Sequence, residues 1–171
     1  MINHEFIYSV DEFIWYIYFD LRHWVEYGCA YGTIVLKPNG ESIDVVTPNN
    51  FTVTAKDNNK ITGIVFQDQI RANDGKHWYT RLEYHREVST SIGSRYIVTN
   101  KTYYSDSEGD IGNEIDISKT PWKLLEEETI IENAKGNLFA VLKMPHANNV
   151  DIDSPLGMPI FSDAIEELKD L

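Results

Sequence analysis

Apolar residues recur at three- and four-residue steps near both ends of this chain and at two-residue steps between them. Ser9 and Glu12 stand at capping-box spacing, the serine placed to accept from first-turn amides and the glutamate to reach back. The pattern predicts a helix from about Val10 to Tyr27, within a helical segment 9–28. Phe13, Ile14, Ile17, Leu21, Trp24 and Val25 form its buried stripe and Gly28 its stop. Trp15, Tyr16, Tyr18 and Phe19 make the first half aromatic nearly all round. That suits either insertion between two layers of the chain's own domain or burial against another subunit, for which Trp15, Tyr16 and Phe19 are the candidate interface residues.

From Ala30 to about 118 the period is two, with turn signals at regular intervals. Strands are expected at Thr33–Lys37, Ile43–Thr47, Phe51–Ala55, Lys60–Gln69, His77–Val88, Arg95–Tyr104 and Asn113–Ile117. Short links such as Pro38-Asn39-Gly40-Glu41 and Lys56-Asp57-Asn58-Asn59 cannot carry a parallel crossover, so the strands should form a twisted antiparallel meander. Trp122 to Ile131 suits a loop with a short strand or turn, and Leu138 to Met144 a short strand followed by an Asn-, Asp- and Pro-rich loop. A closing helix is expected from Pro159. Its stripe of Ile160, Phe161, Ala164, Ile165, Leu168 and Leu171 reaches the last residue without a Gly or Asn cap, which suggests a piece of a longer protein.

The expected fold class is therefore α+β: an antiparallel sheet over 30–118 flanked by an N-terminal helix and, within 138–171, by a strand, a loop and a C-terminal helix. All of it lies in a single domain, 1–171. At 171 residues with ten tyrosines and four tryptophans, the chain can bury a core without disulfides or metals. Cys29 is its only cysteine, which fits a reducing, cytoplasmic folding compartment. The net charge of −12 repels phosphate, so tight binding to a nucleic-acid backbone is not expected, although DNA could slide past such a surface without sticking. The apolar stretch at Phe13 to Trp24 is too short and too charged to span a bilayer, and no signal peptide is evident.

Candidate chemistry is sparse. Tyr79, Arg81, Glu83 and His85 alternate onto one strand face, where an acid/base pair of Glu83 and His85 would make a hydrolase conceivable. The favoured reading of that row is a solvated sheet face, with Trp78, Thr80, Leu82 and Tyr84 facing the core. The five histidines include no pair at metal-ligand spacing, and the acidic stretches Asp106–Asp110 and Asp151–Asp153 do not follow an EF-hand order. Nucleophile, phosphate-loop and dinucleotide motifs are absent, so neither an enzyme nor a cofactor is expected.

The segments Gly28–Gly32, Val35-Leu36-Lys37-Pro38 and Thr47–Phe51 resemble the portal proteins of tailed bacteriophages, in particular those of long-tailed phages and prophages of Gram-positive bacteria. The similarity continues through Phe66-Gln67-Asp68, Tyr79–His85 and Asn100–Ser105. It ends with Leu138–Ala140, Lys143–Pro145, Asn148-Asn149 and Ser154–Gly157. The resemblance implies a structural subunit of a homo-oligomeric ring at one capsid vertex, made in the host cytoplasm and residing in the virion. DNA is packaged and ejected through that ring without sequence-specific binding. The implied partners are other protomers, the packaging terminase, capsid proteins and head-tail connector proteins, mostly through regions beyond this chain, which corresponds to the wing region. The alternative from the residues alone is a stand-alone β-sheet module that recognises a carbohydrate or protein through exposed aromatics.

Overall fold

A computed structural model describes residues 10–39, 42–58, 60–90, 93–134, 136–145, 151 and 153–162. The fold is α+β and dominated by antiparallel sheet. Two compact units divide it, Met1–Ile34 with Val141–Leu171, and Val35–Ala140.

In the first unit, helix α1 spans Val10–Tyr31 and runs one turn further than the sequence predicts. Gly28 does not stop it. A Cβ at Gly28 would lie 2.8 Å from Met144 Cε, so this glycine serves close packing inside the helix. The stop is Gly32, at φ +75°, whose amide donates to Gly28 O at 2.7 Å. Along the predicted stripe Trp24 is buried, but Leu21 and Val25 are more than 40% exposed (44% and 42%). Cys29 lies in the last helical turn with Sγ 3.8 Å from Met144 Sδ.

Strand β1, Thr33–Asn39, begins in this unit and continues into the other, and β9, Ala140–Lys143, adds to one of its edges. Met144 N donates to Gly32 O at 2.9 Å, and Gly157 N to Thr33 Oγ1 at 2.7 Å across a separation of 124 residues. Three chain segments thus cross where only glycines fit. A Cβ on Gly157 would meet Gly32 O at 2.7 Å and Met144 O at 2.8 Å. Of the predicted C-terminal helix, a turn with Ser162 N bonded to Pro159 O is seen, and the rest lies outside the described residues.

In the second unit β1 pairs with β2, Ser42–Val46, from Val35↔Val46 to Asn39↔Ser42, which brackets the predicted turn. The larger sheet holds β3 (Phe51–Asp57), β4 (Lys60–Arg71), β5 (Trp78–Thr90), β6 (Gly93–Ser105) and β7 (Asn113–Ile115) in that order. Strand β8, Glu128–Glu132, pairs with β6 beyond the end of β7.

The meander is therefore real from β3 onward, but β1 and β2 belong to a separate three-stranded sheet. The break falls at the 3-10 turn Pro48–Asn50, where Pro48 has no amide hydrogen to continue a ladder. Phe51 then starts afresh opposite Phe66. Strands β4, β5 and β6 run in long register, from Arg71↔Trp78 to Gly63↔Arg86 and from Trp78↔Ser105 to Thr90↔Gly93. Ile64, Phe66, Tyr96 and Phe139 form the centre of the core.

Candidate functional site

Alternation along the paired strands sets Asp68, Arg81 and Thr102 in one row, and Phe66, Glu83 and Asn100 in the next. Ile64, His85 and Val98 make the third row. The expectation that Tyr79, Arg81, Glu83 and His85 form a solvated face does not hold. Side chains of Arg81 and Glu83 are each 12% exposed and that of His85 only 5%. The opposite face is covered as well, with Thr80 at 0% and Leu82 at 9%. Burial on both faces is why period-two alternation could not say which side was wet.

Two cations and one imidazole close on Glu83. Its Oε2 accepts from Lys37 Nζ at 3.0 Å and forms an ion pair with Arg81 Nη2 at 3.0 Å, and its Oε1 accepts from His85 Nε2 at 2.5 Å. Arg81 also donates to Asp68 Oδ2 through Nη2 and, at 3.1 Å, through Nε. Because the carboxylate only accepts, Nε2 of His85 carries a hydrogen, and Nδ1 lies 3.0 Å from the Tyr96 hydroxyl.

Rings close round these groups. Lys37 Nζ lies 4.9 Å from the Phe66 centroid and the Arg81 guanidinium 5.5 Å from that of Trp122. Phe66 and Phe139 each meet His85 edge-on, at 5.1 and 6.2 Å.

Burial pushes the Glu83 carboxyl up, but the His85 hydrogen bond and the Lys37 and Arg81 charges outweigh it and hold the group at about 2. Burial drives the Tyr96 phenol up as well, and here it prevails, to about 12, against the Leu138 amide that favours the phenolate and with the Glu83 and Glu87 charges that oppose it. Spectrophotometric titration should accordingly leave at least one tyrosine, Tyr96, largely un-ionised at pH 11. Ionisation of every tyrosine below that pH in the folded protein would contradict the placement of Tyr96.

A carboxyl near 2 is too weak a base to take a proton at neutral pH and too fully ionised to give one. With both oxygens occupied, Glu83 acts as the hub of a brace joining β1, β4 and β5. Sequence reasoning found three members, Arg81, Glu83 and His85, and missed Lys37, Asp68, Tyr96 and Phe139. The available signal was Lys37 in phase with Val35 on an otherwise apolar strand.

Beside the brace lies a groove of about 840 Å³, walled by Leu36, Ile43, Leu125, Ile131 and Leu138. Asn100 and Asn137 also line it, and the Oδ1 of each is buried without a hydrogen-bond partner. Their amides cannot simply be flipped. Asn100 Nδ2 donates to Glu126 O at 2.8 Å and Asn137 Nδ2 to Ile61 O at 2.7 Å. Phe139, itself buried, is the aromatic residue of the lining, so the groove has no exposed ring on which a sugar could stack.

At the far end of the sheet His77 bridges Asp74 and Asp106 and stacks on Tyr104 at 4.9 Å. Among the described residues no cluster of His, Cys, Asp or Glu could hold a metal ion, and no helix is long and apolar enough to cross a membrane. Trp15, Tyr16 and Phe19 lie on the first half of α1, and their side chains fall outside the described residues.

Comparison of the chain with protein-family profiles, with curated proteins and with solved structures returned no match.

Proposed function

We propose that the chain is a structural part of a phage portal subunit, one protomer's share of a ring through which DNA enters and leaves a capsid. The observation that carries this reading is the saturated state of Glu83. The residues with the most chemical character, Lys37, Asp68, Arg81, Glu83 and His85, satisfy one another and leave no group poised for catalysis. A load-transmitting wall needs such a braced sheet more than it needs a reactive pocket.

The segments that carry the resemblance support the same reading. Val35–Pro38, Phe66–Asp68, Tyr79–His85 and Leu138–Ala140 supply nearly all of the brace, with Tyr96 the exception. Gly28–Gly32 and Ser154–Gly157 supply both glycines of the crossing at Gly32. The wing region of a portal is the counterpart this architecture suits, with other protomers, the terminase, the capsid and the connector as partners. An acidic chain also suits a channel protein that must let DNA pass without gripping it.

The product of the complete reading frame is expected to assemble into rings with a central channel, seen by negative-stain electron microscopy. A strictly monomeric product across a wide concentration range would overturn the proposal. A gene for a large terminase immediately upstream is the accompanying genomic expectation.

A further inference from the structure

Strand β8 ends the larger sheet with one side unpaired. It bonds β6 from Thr99↔Glu128 to Arg95↔Glu132, and among the described residues no strand pairs with its other side. All five of its residues are exposed, with Ile130 at 49% and Ile131 at 36%, and Leu124 just before it is 91% exposed. Unpaired amides and carbonyls along such an edge are a template for another strand.

The charges on this edge select what can pair there. Glu126, Glu127, Glu128 and Glu132 surround two isoleucines. A second copy of β8 paired antiparallel about Ile130 would set Glu128 against Glu132 twice over, a like-charge arrangement that disfavours self-pairing. Glu132 is held in an ion pair by Arg95 at 2.9 Å, so Glu126, Glu127 and Glu128 are the carboxylates left to favour a basic segment.

The groove makes the matching demand. Thr129 and Ile131 point into it, so alternate side chains of a strand added at this edge would lie over it. Lys37 and Arg81 are already engaged with Glu83, whereas Asp44 and Glu126 line the walls and the Asn100 and Asn137 amide oxygens still lack donors. Leu36, Ile43 and Leu138 offer apolar surface for the alkyl stem of a lysine or arginine.

We infer that the free edge of β8 and the adjoining groove receive an extended peptide in which lysine or arginine alternates with aliphatic residues. Main-chain bonds to β8 supply the affinity and the acidic rim the selection.

The test uses the whole chain and a fluorescein-labelled synthetic peptide of alternating valine and lysine, read by fluorescence anisotropy at physiological salt. Saturable binding is expected, with slowed amide exchange in 128–132. A counterpart with glutamate for lysine should not bind. The basic peptide N-methylated at alternate backbone positions keeps its charge but cannot pair with a strand, and should bind about tenfold more weakly or worse. Asp44→Lys with Glu126→Lys, both lining the groove, should weaken binding by a similar factor of about ten. Glu108→Lys with Asp110→Lys, on a different turn, makes the same charge change and should not. No binding, equal binding of the N-methylated peptide, or equal loss in both double variants would overturn the inference, the last two by reducing it to general attraction to an acidic protein.

Discussion

Glu83→Gln is expected to lower the unfolding free energy at pH 7 by about 3 kcal/mol, because it leaves Lys37 and Arg81 as buried cations without their shared partner. The pH dependence gives the effect a signature. The folded protein holds the Glu83 carboxyl at about 2, below its ordinary value of 4.5, so the folded state favours the ionised form. Stabilisation from this group is thus complete above about 4.5 and fades as pH falls toward 2, and a depression of that size corresponds to about 3 kcal/mol. Many other carboxyls titrate in the same range in this acidic chain, but they do so in both proteins. The difference between wild type and Glu83→Gln in urea unfolding should be large at pH 7 and shrink steadily below pH 4.5. A variant within about 1 kcal/mol of wild type at pH 7, or a gap that stays constant down to pH 3, would show that the brace contributes little.

Gly32→Ala is expected to cost more than about 3 kcal/mol or to prevent the helix unit from folding, and Gly75→Ala only about 1–2 kcal/mol. Both glycines adopt left-handed backbone, at φ +75° and +69°. Alanine carries the same conformational penalty at either position. The surroundings differ. A Cβ at Gly32 would lie 2.3 Å from Met158 C and 2.4 Å from Gly157 O, both main-chain atoms that cannot swing away, whereas at Gly75 nothing lies within 4 Å. Helical circular dichroism during thermal unfolding reads the Gly32 effect, since α1 ends at that residue. Equal losses from the two substitutions would mean that backbone conformation alone, and not the crossing of segments, sets the requirement for glycine at Gly32.

Both predictions depend on groups that are far apart in sequence, and that marks the limit of what could be read beforehand. The helix from Val10, the hairpin closed by Asn39↔Ser42 and the meander from Phe51 to Ile115 follow from local pattern, because period and turn residues act over a few positions. The end of α1 was misplaced because Gly28 and Gly32 are equally good stops on paper. Only the approach of Met144 to the first and the positive φ of the second distinguish them. Strand β8 was ambiguous for a related reason: five exposed residues carry no inward-outward contrast.

What the sequence by itself determined is the class and the parts: an aromatic-rich, acidic α+β chain whose strands are long, antiparallel and joined by short turns. It also placed Arg81, Glu83 and His85 on one side of one strand, since alternation is a property of the strand alone. Whether that side met water or core was decided by tertiary structure, through the Lys37 that β1 brings from 46 residues away in sequence and the Asp68 that β4 brings from 13. A carboxylate's character follows from the charges and dielectric around it. Those are set by packing, and so the row that looked like a solvated face became a closed ionic brace.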